Sequence, residues 1–434
     1  MKIAINQWSE LDSAARIALL ERPSVADDDG IRATTGAIIA QVRAGGDTAL
    51  RELTLQFDGA DISDLRVSRA EIEAAIAQLS PEQLAAIDLA IDNVRRFHEQ
   101  QRPTALRVET MPGVVCERVS HALDAVGLYV PAGTAPLPSA AIMLAVPAAI
   151  AGCPTRILCT PPQANGEANA AVLAAASRAG VTDIYKVGGA QAIAAMAYGT
   201  ESIPKVCKIF GPGNAWVTSA KTLVSIDAHG SAIDMPAGPS EVLVIADDSA
   251  SAEFVASDLL SQAEHGSDSQ VVLVTTSAAL AEDVNVALQA QLADLSRAAI
   301  ASLALEHSRI FLVDDLDMAV ALSNQYAPEH LILQVDEPRK VLPQLRNAGS
   351  VFVGPWSPES VGDYCSGTNH VLPTYGFART YSGLGVDQFM RQMTIQELTR
   401  EGLEGISSAV LSLAGMEGLD AHAAAVTIRL REPA

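Results

Sequence analysis

Residues Ala125–Pro162 read AVGLYVPAGTAPLPSAAIMLAVPAAIAGCPTRILCTPP. A short β-rich run leads through a glycine turn into a helix-length apolar segment, and a second β-rich run follows. Strand, helix, strand at this spacing predicts parallel strands joined by a crossover helix, because parallel neighbours cannot be linked by a tight turn. The rhythm continues through DIYKVGG (183–189) and KVCKIFGPG (205–213), with NAAVLAAASRAG (169–180) and AQAIAAMAYG (190–199) between them. It returns after residue 240 in SEVLVIAD, SQVVLVTT, RIFLVDD, HLILQVD and GSVFVG. The predicted fold class is α/β: two Rossmann-like parallel-sheet domains of doubly wound type, with small helical N- and C-terminal extensions.

The expected division is a helical arm over 1–25, a first α/β domain from 26–123 plus 241–377, a second, nucleotide-binding α/β domain over 124–240, and a helical tail over 378–434. Between Thr34 and Gln101 the pattern is helical, with Ser68 and Ser80 as N-caps and Pro81 at a first helical position. SPESVGDYCSGTNHVLPTYGFARTYSGLG (357–385) has little periodicity, and a long irregular segment in a compact chain is more often functional than idle.

Composition narrows the function. The 434 residues are 49% hydrophobic and 18% charged, the balance of a folded globular protein. With 29 Lys+Arg against 51 Asp+Glu, the formal charge is −22, which argues against nucleic acid or an anionic membrane as partner. The first residues carry acidic side chains and no uninterrupted apolar run, so no signal peptide is expected. No stretch approaches the ~18 apolar residues of a membrane span. Five cysteines without CxxC spacing suggest mostly buried thiols in a reducing, cytoplasmic setting.

Three glycine turns, YVPAG, KVGGAQ and FGPGNAW, stand at the ends of predicted strands of one sheet. Their free backbone N–H groups suit the phosphates of a nucleotide, although each alone reads equally as an ordinary βα turn, and no GxGxxG follows the first strand. In LLSQAEHG, Gln262 and His265 are three residues apart, about 60° around a helix, and can face one object. An imidazole with an amide or carboxylate oxygen is a mixed N/O donor set for zinc or a related ion; Asp363 and His422 would complete four ligands. In YAPEHL, Glu329 and His330 put a carboxyl group beside an imidazole, a pair suited to acid–base chemistry near neutral pH, or to a solvated loop. His370 is a further candidate in the irregular segment. Cys116, Cys153 and Cys365 would serve a covalent mechanism, but each reads more simply as a buried or loop residue.

Taken together and in order, GLYVPAG, KVGGAQAIAAMAYGT, KIFGPGNAWVTSAK, DMPAGPSEVLVIAD, LLSQAEHG, YAPEHL, VGDYCSGTNHVLPT, ARTYSGLGVDQF and EGLDAHAAAV resemble the sequence blocks of histidinol dehydrogenases. The resemblance spans roughly residues 30–430. It implies oxidation of L-histidinol to L-histidine through the aldehyde with two NAD⁺, the last step of histidine biosynthesis. It also implies Zn²⁺ bound by Gln262, His265, Asp363 and His422, with Glu329 and His330 as the catalytic pair. Ser240 and Glu417 fall on substrate-contacting positions, where His370 and the metal-site residues would join them; Tyr129, Gln191 and Asn214 fall on NAD-contacting ones. A homodimer is implied in which one chain's tail, with Glu417 and His422, completes the other's site. Two other readings stand beside this one: a cysteine-dependent NAD-linked aldehyde dehydrogenase, and a non-catalytic nucleotide- or metal-binding regulator.

Overall fold

The computed structural model describes residues 2–23, 29–132, 135–235 and 238–431. Strand β1 (Ile5–Gln7) precedes the short helix Ser13–Leu20. A helical region follows, made of Asp29–Asp58, broken at Gly46, then Arg69–Gln78 and Pro81–Glu99. Ser68 and Ser80 both close capping boxes, with Glu71 and Gln83 respectively, as their positions predict. β2 (Leu106–Met111) and β3 (Val114–Ala122) pair antiparallel.

The predicted βαβ series then unfolds as β4 (Ala125–Tyr129), β5 (Thr155–Thr160), β6 (Asp183–Lys186), β7 (Lys208–Phe210) and β8 (Ala232–Ile233). They form one parallel sheet in the order β6-β5-β4-β7-β8. The helix Pro138–Ala151, apolar on nearly all sides, is buried along most of its length, as a helix between a sheet and a second helical layer must be.

β9 (Glu241–Ala246), β10 (Gln270–Thr275), β11 (Arg309–Leu312), β12 (His330–Gln334) and β13 (Ser350–Val353) make a second parallel sheet. Its order is β1-β11-β10-β9-β12-β13. Every residue of β9, β10 and β12 is buried, the mark of strands covered on both faces. Strand order reverses between β4 and β7 in the first sheet and between β9 and β12 in the second, so each is doubly wound with its own switch point.

Three expectations change. The N-terminal arm is not only helical: β1 extends the second sheet by pairing parallel with β11. The helices of 29–99 pack on the first sheet, where Ile38, Leu50, Ile72, Ile91 and Val94 join its cores, whereas the sequence grouping of 26–123 with 241–377 places them on the other. Their apolar stripes were legible; which sheet they cover depends on tertiary shape alone. The tail opens with β14 (Met390–Leu398), which pairs antiparallel with β3 before the helices Arg400–Glu417 and Asp420–Leu430. β14 is exposed along nearly its whole length, so it lacks the alternating pattern by which a strand is recognised.

Candidate active site

The candidate residues gather at the amino ends of β9 and β12, not at the carboxyl ends where open α/β sheets usually bind ligands. His330 is the first residue of β12 and pairs in register with Val242 of β9. This places Glu329 and His330 against Glu241. The Glu241 amide N–H donates to Glu329 Oε2 at 3.0 Å, and the Glu329 N–H donates back to Glu241 Oε1 at 3.2 Å. His330 Nδ1 lies 3.1 Å from the Glu241 carbonyl, an acceptor only, so Nδ1 carries the proton. The lone pair is then on Nε2, which is buried without a hydrogen-bond partner and lies 3.8 Å from Asp363 Oδ1.

Burial dominates the electrostatics of the pair. It lowers the His330 pKa to about 4, although Asp363 and the Glu241 carbonyl pull the other way, so the ring is neutral at pH 7. Burial also pushes the Glu329 carboxyl well above its ordinary range, with Glu241 and Asp363 adding repulsion and the Glu241 amide opposing. The solvated-loop reading of this pair falls away, since Glu329 is 6% exposed and His330 4%.

Gln262 is the last but one residue of the helix Ala252–Ala263, and His265 stands two residues beyond the helix end; the Gln262 amide and the His265 ring both reach towards Glu359. Gln262 is fully buried and His265 half-exposed. His265 Nδ1 donates to the Ser261 carbonyl at 2.9 Å, leaving Nε2 as an acceptor 4.0 Å from Asp363 Oδ2. An imidazole lone pair facing a carboxylate oxygen with no proton between them suits a cation. Asp363 stands on a helix of six residues, Glu359–Tyr364, within the segment that lacked periodicity.

That helix brings a residue that sequence reasoning missed. Ligand atoms of His265, Glu359 and Asp363 all lie within 4.8 Å of one another. Glu359 is 1% exposed, and burial raises its pKa further than its ordinary range, helped by Asp363, Glu329 and Asp258. The Gln262 amide lies against this carboxyl group, 2.9 Å from Oε1 and 3.2 Å from Oε2, and 3.0 Å from His330 Nδ1. Asp258 lies behind, with its pKa raised to about 6 by burial and its Oδ2 accepting from Gln334 at 3.2 Å. So many carboxyl groups in one buried region favour an incoming positive charge. No spacing rule singles out Glu359; its burial was the signal, and burial is tertiary.

Within one chain the other expected residues stand apart or at the rim. His422 lies exposed on Asp420–Leu430 and outside the group formed by His265, Glu359 and Asp363. Glu417 is also exposed, at the end of Arg400–Glu417. Ser240, half-buried, directly precedes β9. His370 is half-buried, and burial lowers its pKa against the pull of Asp363.

The three glycine turns do follow β4, β6 and β7 at the carboxyl edge of the first sheet, with Gly133 of YVPAG outside the described residues. Tyr129 and Gln191 are both buried, and the Tyr129 hydroxyl accepts from the Gly189 N–H at 3.0 Å. Asn214 caps Ala215–Ile226, its side chain accepting from Val217 N at 3.1 Å. Gly211 has φ 121°, and a Cβ there would overlap the Tyr129 carbonyl oxygen, so this turn closes tightly on β4 at the switch point. Lys221 Nζ and Asp234 clamp it from below, Lys221 reaching the Gly211 carbonyl at 2.8 Å and Asp234 Oδ2 accepting from Gly211 N at 2.8 Å. Seven residues separate β8 from β9, so the carboxyl end of β8 lies within about 30 Å of the amino end of β9.

The cysteines offer little to a covalent mechanism. All five are free; Cys153 is buried, its thiol pushed up to about 11, and none belongs to the His265, Glu359 and Asp363 group.

Comparison with known proteins identifies the family. The family model described as histidinol dehydrogenase matches residues 21–430. The chain is 55% identical to a histidinol dehydrogenase of Vibrio vulnificus over 98% of both chains, and 51% identical to one of Yersinia pestis over 98% of this chain and 95% of the other. The crystal structure of histidinol dehydrogenase from Elizabethkingia anophelis superposes with a TM-score of 0.95 at 45% identity, covering 99% of this chain and 98% of that one. The chain belongs to the histidinol dehydrogenase family.

Proposed function

We propose that this protein oxidises L-histidinol to L-histidine through the aldehyde, reducing two NAD⁺ in succession, as the final step of histidine biosynthesis in the cytoplasm. The observation that carries the reading is the buried His330 Nε2, held as a lone pair by the Nδ1 contact to Glu241 and facing Asp363 across 3.8 Å. A neutral imidazole in that orientation takes the proton of a substrate alcohol while hydride passes to the nicotinamide. Glu329, whose carboxyl group burial pushes well above its ordinary range, becomes the base that takes a proton from water once the substrate ammonium brings positive charge near it. Addition of that water to the aldehyde gives the gem-diol, whose oxidation yields the second NADH and the carboxylate.

The donor set fits a divalent ion, with Gln262, His265 and Asp363 of one chain as ligands and His422 from a second copy as the fourth. Zn²⁺ bound there would orient the substrate and polarise its oxygen without changing redox state. The exposed position of Glu417 and His422 supports a homodimer with shared sites. Tyr129, Gln191 and Asn214 mark the NAD edge, with Ser240 and His370 beside the substrate. The test is stoichiometric. Two NADH per histidinol, with activity lost to a chelator and restored by Zn²⁺, are expected; one NADH with aldehyde released would refute the four-electron reading.

A further inference from the structure

Glu241 contributes nearly all its polar atoms to the acid–base pair. Its amide nitrogen holds the Glu329 carboxylate, its carbonyl orients His330, and its Oε1 receives the Glu329 N–H. It is 1% exposed, so its side chain needs a buried partner of its own. That partner comes from the far end of the sequence. Arg22, just after the helix Ser13–Leu20, grips the carboxylate with two nitrogens: Nε on Oε2, and Nη2 on Oε1 at 2.8 Å. Nη2 also donates to the Tyr326 carbonyl at 2.8 Å, and the guanidinium lies 3.9 Å from the centre of the Tyr326 ring. The Tyr326 hydroxyl is fixed in turn by Gln270 Oε1 at 2.7 Å. The next residue, Pro23, has its carbonyl held by the Tyr375 hydroxyl.

We propose that Arg22 and Glu241 are positioning residues: the N-terminal arm, through this buried ion pair, holds Glu329 and His330 in reacting geometry. The inference rests on the proposed oxidation of histidinol. A bidentate fork fixes a carboxylate in rotation as well as position, which a lysine ammonium cannot do. With the fork gone, the Glu241 carboxylate is free to turn, and the Glu329 N–H loses the acceptor that fixes the start of β12, where Glu329 and His330 stand. Displacement of a catalytic group by about 1 Å costs on the order of 100-fold in rate. Water activation depends on Glu329 directly, so the aldehyde-to-acid half suffers most.

Arg22→Met alone leaves a buried unpaired carboxylate and is expected to fold poorly. The informative variant is therefore Arg22→Met/Glu241→Gln, which removes both charges, with Arg22→Lys alongside. NADH formed per histidinol, kcat and KM are measured with aldehyde trapped by semicarbazide. For the double variant we expect kcat down by about 100-fold with KM little changed, and NADH per histidinol falling from two towards one as aldehyde is trapped. Arg22→Lys should recover part of kcat. A purely structural role lowers the active fraction but leaves stoichiometry and KM as in the wild type, so a folded double variant still yielding two NADH with wild-type kcat per active site overturns the proposal. If the wild-type protein itself forms no NADH from histidinol, the functional reading fails, and the inference with it.

Discussion

Glu329→Gln isolates one proton acceptor in a site whose geometry the substitution preserves. Oε2 of Glu329 accepts from the Glu241 amide at 3.0 Å, and the carbonyl oxygen of glutamine can accept the same bond. The backbone N–H of residue 329 keeps Glu241 Oε1, so the clasp between β9 and β12 survives. What is lost is the capacity to take a proton from water. General-base contributions run from about 100- to 10,000-fold, which sets the expected slowing of the aldehyde-to-acid half. The first hydride transfer, served by His330, should stay within about tenfold of wild type, because the neighbouring ring still sits on the Glu241 carbonyl. The assay is stopped-flow NADH formation from histidinol and, separately, from the aldehyde. Stability supplies an independent reading. The Glu329 pKa is raised by burial, so the contribution of this group to stability is full below the unfolded value of ~4.3 and is lost as pH rises from there towards the native pKa. Glutamine does not titrate, so the variant's thermal midpoint should gain on wild type between pH 4 and pH 8. Equal loss of both half-reactions, or unchanged oxidation of the aldehyde, would refute the division of labour between Glu329 and His330.

Three further outcomes follow from the same geometry. His265→Ala or Asp363→Asn removes one of two acceptors that face each other at 4.0 Å, and should weaken Zn²⁺ binding by at least about tenfold in competition with a chromophoric chelator. His330→Gln should slow the first oxidation by about 100- to 10,000-fold. Because burial depresses the His330 pKa to about 4, its stabilising effect is present above the unfolded value of ~6.5 and is lost as pH falls towards 4; urea midpoints at pH 5 and pH 7 should show less acid lability in the variant. Finally, Glu329→Gln and His422→Ala homodimers, each inactive in the full reaction, should regain about a quarter of wild-type activity after random subunit exchange, since half the dimers then carry one intact site of two. No recovery would place His422 in the site of its own chain.

Much of the architecture is local and therefore legible. The alternation of β-rich runs with apolar helices at βαβ spacing follows from how a parallel sheet must be connected and covered. The capping boxes at Ser68 and Ser80 are short-range chemistry, and the glycine turns stand where strands end. Glu329 and His330 were visible because they are adjacent, and Gln262 and His265 because they are three apart at a helix end. Less legible were elements whose environment is built by distant chain: β1, a three-residue strand that exists only because β11 lies beside it, and β14, whose exposed face leaves no period.

The site shows the same boundary. Residue types and short spacings, read with the family resemblance, were enough to single out the candidate side chains: an acid beside an imidazole, an amide near a histidine, glycines at strand ends. Tertiary structure decided what those groups can do. Only the pairing of β9 with β12 brings the Glu241 carbonyl to His330 Nδ1 and so leaves the lone pair on Nε2. Only the fold brings Arg22 to Glu241, 219 positions away in sequence, and sinks Glu359 beside Gln262. Identity and spacing are properties of the chain itself, whereas tautomer, protonation and burial are set by neighbours that meet only when the sheets close.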